Sequence, residues 1–164
     1  MVAVCWVMAA LLALGALCQA EPIKFVDCGS KAENIIVEIT PCPPLPCVLH
    51  KGQTYSVSIT FTSTTSSQTS QAEVYGILAG IPILFHIPNT DGCKSGIQCP
   101  IQKMKKYSYI NSLPIKSECP SVELVVKWEL MDDTKNFIFC WKIPEWNINC
   151  NSSLDNAFSC TMGN

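Results

Sequence analysis

The sequence predicts an all-β protein, an antiparallel, immunoglobulin-like β-sandwich of about seven strands. Three observations predict it. Apolar residues alternate with polar ones over several short segments, turn-forming clusters separate those segments, and no stretch of ten residues carries its apolar side chains at helical spacing.

The first candidate strand is Ile35 to Thr40, β-branched residues around a single acid, Glu38. The second is the clearest, with Tyr55, Val57, Ile59 and Phe61 on one face and Thr54, Ser56, Ser58 and Thr60 on the other. Ala72 to Leu78, Ile83 to Ile87 and Lys106 to Ile110 follow. Val122, Leu124, Val126, Trp128 and Leu130 alternate in the sixth, and Phe137, Phe139, Trp141 and Ile143 in the seventh. Between them lie Lys51-Gly52, the Ser/Thr-rich stretch from Thr62 to Ser70, Pro88 to Gly92, and Met131 to Asn136, all rich in turn residues.

Composition narrows the function classes. Of 164 residues, 48% are hydrophobic and only 15% charged, against roughly 25% charged in an ordinary soluble domain. Part of the excess is the leader, since residues 1–20 contain no charge and Val2 to Leu17 are apolar apart from Gly15. That run is shorter than a membrane span of roughly 20 residues and ends in Cys18-Gln19-Ala20, so it reads as a signal peptide. Eleven Lys against thirteen Asp and Glu, with no arginine, argue against nucleic-acid binding. No G-x-S-x-G elbow, Gly-rich phosphate loop or His-bearing metal motif is present, so neither an enzyme nor a metal or cofactor is expected.

Secretion permits disulfides, and nine cysteines follow the leader: Cys28, Cys42, Cys47, Cys93, Cys99, Cys119, Cys140, Cys150 and Cys160. The short Cys42–Cys47 and Cys93–Cys99 spacings enclose Pro- or Gly-rich excursions that bring sulfurs close, and paired CxxC zinc spacings are lacking.

Particular residues then carry a resemblance. Glu21 to Ser30, Pro41-Cys42-Pro43 to Cys47, Lys51 to Val57, Asp91 to Ile97, Cys99-Pro100-Ile101 and Phe139-Cys140-Trp141 resemble the ML lipid-recognition family, in particular its soluble Niemann-Pick type C sterol binders. The resemblance runs from the leader to about Pro144, which divides the chain into a signal peptide (1–20), an ML domain (21–144) and a divergent tail (145–164). It implies disulfides Cys28–Cys140, Cys42–Cys47 and Cys93–Cys99. It also implies an apolar cavity between splayed sheets that holds cholesterol or a related sterol, lined by Phe85, Ile115, Trp128 and Trp141 with Pro114 at the entrance.

By the same resemblance Ala79, Gly80, Ile81 and Ile83, with Pro82, form a surface loop that docks to the membrane-bound Niemann-Pick type C sterol transporter. Lys103, Lys105 and Lys106 are the one dense basic patch, suited to anionic endosomal membranes. A secreted or lysosomal lumenal monomer is expected. Two other readings fit the residues: a binder of another lipid, such as a glycolipid or lipid A, or a structural or adhesion sandwich with a filled core.

The chain also leaves the family pattern. Cys119 stands where the family has a tyrosine, and the family's core glycan position reads Ser58-Ile59-Thr60, so the sole sequon is Asn151-Ser152-Ser153. The tail is polar and asparagine-rich, with Cys150 and Cys160 as added thiols, and it suggests a shortened last strand. His50 and His86 are the two side chains whose unperturbed pKa lies near 6.5.

Overall fold

The computed structural model describes residues 21–42, 48–118 and 121–149. Nine strands form two sheets: β1 (Val26–Asp27), β2 (Glu33–Thr40), β3 (Val48–His50), β4 (Thr54–Thr62), β5 (Gln71–Leu78), β6 (Ile81–Phe85), β7 (Lys106–Pro114), β8 (Val122–Met131) and β9 (Phe137–Asn149). A single 3-10 turn, Gly92–Lys94, stands among them in the described residues. The larger sheet runs β1-β9-β8-β5-β6 with β3 also on β9, and the smaller runs β2-β4-β7.

The alternating pattern determines the layering. In β4 the side chains of Tyr55, Val57, Ile59 and Phe61 are buried, and in β7 so are Tyr107, Tyr109, Asn111 and Leu113. They face Leu124, Val126, Trp128 and Leu130 of β8 and Phe139, Trp141 and Ile143 of β9. Aromatic rings join the layers: Phe61 meets Phe139 edge-on at 5.3 Å between centroids, and Tyr109 meets Trp128 and Phe139 edge-on at 6.1 and 5.8 Å. Such contacts add roughly 0.5–1.5 kcal/mol each beyond the area they bury.

The structure amends four expectations. The described residues hold nine strands rather than seven, because β1 and β3 are too short to show alternation. One pair is parallel: Val48, Leu49 and His50 lie beside Asn147, Ile148 and Asn149. β6 spans Ile81–Phe85 rather than Ile83 to Ile87, because the connection from β5 is only Ala79-Gly80, both with positive φ (48° and 81°). Positive φ at both central residues gives a two-residue turn the twist that paired strands need, so Ile81, Pro82 and Ile83 belong to a strand and not to a loop. Proline is tolerated there because β6 is an edge strand. Finally, β9 does not stop near Pro144. It continues to Asn149, paired with Val122 to Leu124 of β8 on one side and with β3 on the other.

The Ser/Thr stretch after β4 is ordered by its own hydroxyls. Ser63 Oγ donates to Thr65 O (2.7 Å) and Ser67 Oγ to Thr69 O (2.6 Å), and Ser67 Oγ accepts from the Asp133 N–H (3.0 Å). At the same end Asp132 closes the β8–β9 turn, its Oδ1 accepting from the N–H groups of Thr134 and Asn136, both at 2.9 Å. Burial pushes the Asp132 carboxyl up, but these hydrogen bonds and Lys31 outweigh it and hold it below the usual aspartate value.

Disulfides join Cys28 to Cys140 and Cys93 to Cys99. The first closes a loop of 112 residues, worth about 4–5 kcal/mol in the chain-entropy account. Cys42 is also disulfide-bonded; its expected partner Cys47 lies outside the described residues, as do Cys119, Cys150, Cys160 and Asn151.

Candidate functional site

Strand register brings three of the expected sterol-contact residues into one row. Phe85 of β6 pairs with Val74 of β5, Val74 with Trp128 of β8, and Trp128 with Trp141 of β9. Directly paired residues point to the same face, so all four look into the sandwich. Three strand spacings make the row about 14 Å long.

The row changes from closed to open along its length. Trp128 and Trp141 are fully buried and stacked, with centroids 5.7 Å apart and planes inclined by 18°. Phe25 tilts against Trp141 at 6.5 Å. Phe85 at the other end is only half-buried. The smaller sheet has three strands against six, its β4 and β7 rings meet β8 and β9, and β6 is the far edge of the larger sheet. By alternation Ile81 and Ile83 share Phe85's inward face, yet Ile81 is 65% exposed and Ile83 half-buried. Apolar side chains thus line the uncovered inner edge of the sandwich.

Gly76 fixes how the Phe85 ring lies. A Cβ on Gly76 would sit 2.6 Å from Phe85 Cε2 and 3.0 Å from Cζ, so the ring rests directly on this backbone. The Leu124 Cδ2 methyl closes the other side at 3.4 Å from the same point. Sequence reasoning does not single out Gly76, because its contribution is the absence of a side chain. A glycine in mid-strand beside an aromatic-bearing strand is the one available cue.

On the facing sheet, Pro114 ends β7 half-buried and Ile115 follows it at 3% exposure. Ile115 is held by paired backbone bonds to the β3–β4 turn, its N–H to Gln53 O (2.9 Å) and its carbonyl from the Gly52 N–H (2.7 Å). The Leu78 end of β5 lies at the same end of the sandwich, because the Ala72 end of β5 pairs with Leu130 beside Phe139 and Phe61. Ile115, Pro114 and the Ala79-Gly80 turn therefore occupy one pole. Lys103, Lys105 and Lys106, all exposed, precede and begin β7 and stand at the opposite pole. His50 and His86 are exposed.

The interior is chemically plain. Among the described residues the buried indole N–H of Trp141 has no hydrogen-bond partner, while that of Trp128 lies against the Tyr109 phenol. Tyr109 Oη accepts from Asn111 Nδ2 (2.8 Å), which also donates to Asn89 O (2.6 Å). Burial pushes the Tyr109 phenol up to about 12, with the Asn111 hydrogen bond and the Trp128 indole opposing it. Charged groups such as Glu73, Lys127 and Glu129 lie on the outer face of the larger sheet, where Lys127 pairs with Glu129 and its Nζ sits over the Tyr75 and Phe137 rings at 5.8 and 5.7 Å. An apolar row open at one edge suits retention of a flat apolar molecule.

Comparison with known proteins gives the same family at three levels. The ML domain model matches residues 22–145. The mouse protein named NPC intracellular cholesterol transporter 2 is 64% identical over 135 residues, covering 82% of this chain and 91% of its own. The zebrafish protein of that name is 52% identical over 140 residues, covering 85% and 94%. A crystal structure of a Niemann-Pick type C2 protein from the Japanese carpenter ant aligns with a TM-score of 0.68 at 28% identity, over 77% of this chain and 100% of that one. With this match in sequence and fold, the chain belongs to the ML-domain family, among relatives of the NPC intracellular cholesterol transporter 2 type.

Proposed function

We propose that this protein binds an unesterified sterol, cholesterol or a close relative, between its sheets and delivers it to a membrane or membrane-protein acceptor. The observation that carries the reading is the row Phe85, Val74, Trp128 and Trp141, buried at one end and uncovered at the other. A rigid hydrocarbon entering from the β6 edge would lie along this row, with Ile115 and Pro114 facing it across the entrance. Each methylene withdrawn from water contributes about 0.8 kcal/mol, and a rigid ligand loses little conformational freedom.

The relatives' name, which specifies cholesterol transport, supports the choice of ligand. The exposed Ile81 beside the entrance supports a handover surface for a membrane-bound Niemann-Pick type C sterol transporter, since apolar rims that meet would let the sterol pass without crossing water. The leader and the disulfides support a secreted or lysosomal lumenal site of action, and Lys103, Lys105 and Lys106 a contact with anionic endosomal membranes. No step needs a metal or cofactor, and sterol carriage makes no covalent bond.

Lipid extraction of the protein purified from secreting cells, followed by mass spectrometry, tests the ligand class. One sterol per chain is the expected result. Recovery of a glycolipid or lipid A in its place would overturn the sterol reading in favour of another lipid.

A further inference from the structure

The geometry points to Met104 as a membrane-inserting tip, set in the lysine cluster at the pole opposite the sterol entrance, that moors the protein to an anionic bilayer with its entrance facing away. This deepens the membrane contact proposed above by naming the inserting residue and the orientation.

Met104 is the most exposed of the large apolar side chains in the described residues, at 66%, and its φ is +66°. It is the third residue of the turn Gln102 to Lys105, closed by the Lys105 N–H to Gln102 O at 3.3 Å. Glycine or asparagine ordinarily fills a turn position with positive φ. A long apolar residue there goes against both backbone preference and solvent exposure, the kind of local conflict that marks functional positions.

The tip is held firmly. Met104 N–H donates to Ser63 O (2.6 Å), Ser63 N–H to Lys105 O (3.0 Å), Gln102 N–H to Tyr107 Oη (2.7 Å) and Lys103 N–H to Ser66 Oγ (3.3 Å). Around it Lys103, Lys105 and Lys106 are exposed, and Lys105 Nζ lies 5.6 Å from the Tyr107 ring centroid. Of the acids at this pole, Asp132 caps its turn, Asp133 Oδ2 accepts from the Gln68 N–H at 3.0 Å, and Glu33 is exposed across β4 from Lys106, leaving three lysines against one outward-facing carboxylate. An apolar tip ringed by lysines matches an anionic headgroup layer over hydrocarbon. β7 carries nine residues from Lys106 to Pro114, which separates the tip from the entrance by about 27 Å. A bilayer gripped at one pole leaves Ile81 and the entrance free for an acceptor.

The mature secreted protein is tested for co-sedimentation with phosphatidylcholine vesicles, with and without phosphatidylserine, alongside equilibrium sterol binding. Met104→Asp, tolerated at positive φ, is expected to weaken binding to the anionic vesicles about tenfold. Met104→Leu should retain binding, and each Lys→Gln change at 103, 105 or 106 should cost about fivefold. Ile81→Asp should bind vesicles as the wild type does. Unchanged binding by Met104→Asp, or loss confined to Ile81→Asp, would overturn the inference. Sterol binding by the Met104 and lysine variants reports their fold, thermal melting reports that of Ile81→Asp, and absence of sterol binding from the wild type would count against the sterol reading while leaving the vesicle result to decide this one.

Discussion

Trp128 and Trp141 are direct cross-strand partners whose fully buried rings stack 5.7 Å apart. Rings buried this completely contribute mainly through the apolar area they withdraw from water. Keeping one ring should therefore retain much of the contribution. Trp128→Phe is expected to cost about 1–2 kcal/mol, whereas Trp128→Ala should cost about 3–5 kcal/mol. Urea unfolding of both variants checks this, and a Phe variant as damaged as the Ala variant would show that the remaining ring does not stabilise the row.

Gly76 and Phe85 should behave as one unit. Gly76→Ala places a methyl 2.6 Å from Phe85 Cε2, so the ring must leave its seat at the entrance. Sterol affinity is expected to fall about tenfold, as for Phe85→Ala, and the double variant should be no worse than either single. Additive losses in this double-mutant cycle would place Gly76 outside the binding unit.

The end of β9 supports more than itself. β3 has its sheet pairing through residues 147–149 of β9. Ending the chain after Pro144 removes that pairing and the partners of Val122 to Leu124, with an expected loss of about 2–4 kcal/mol from several broken ladder bonds. Ending it after Asn149 keeps that pairing and should melt higher than the chain ended after Pro144. Equal melting temperatures for the two truncations would contradict the pairing.

Acid stability follows from the sign of the carboxylate shift. Asp132 is held below its unfolded value near 3.8, so its contribution is complete above that pH and is lost only as the pH falls through the lowered folded value. Its share of the stability should stay constant from neutral pH down to about 5, decline as the pH falls below about 4, and be gone only below the lowered folded value. Tyr109, raised to about 12 from 10, acts at the other limit, its contribution fading as the pH climbs from 10 toward 12. Melting temperature against pH for Asp132→Asn and Tyr109→Phe checks both limbs. A wild-type acid limb unchanged in Asp132→Asn would remove Asp132 as its source.

Most strands were legible because alternation records burial directly, as in Tyr55, Val57, Ile59 and Phe61. The end of β9 was not legible, because Pro144 and the asparagines after it favour loops. Pairing to β8 and β3 on both sides overrides that preference, and pairing is absent from local sequence. The same limit hid Gly76, whose place is defined by a ring on a neighbouring strand, and Met104, which reads as one more residue in a charged stretch until its exposure and positive φ are seen. Phe85, Trp128 and Trp141 were singled out through a family resemblance; their shared row depends on register across four strands.

The central claim is that the uncovered apolar row holds a sterol, and equilibrium titration of the purified mature protein with a fluorescent sterol tests it most directly. Saturable binding of one sterol per chain is predicted, weakened at least about tenfold by Phe85→Ala and by Ile115→Asp. No saturable binding at either neutral or acid pH, or wild-type affinity in both variants, would contradict it.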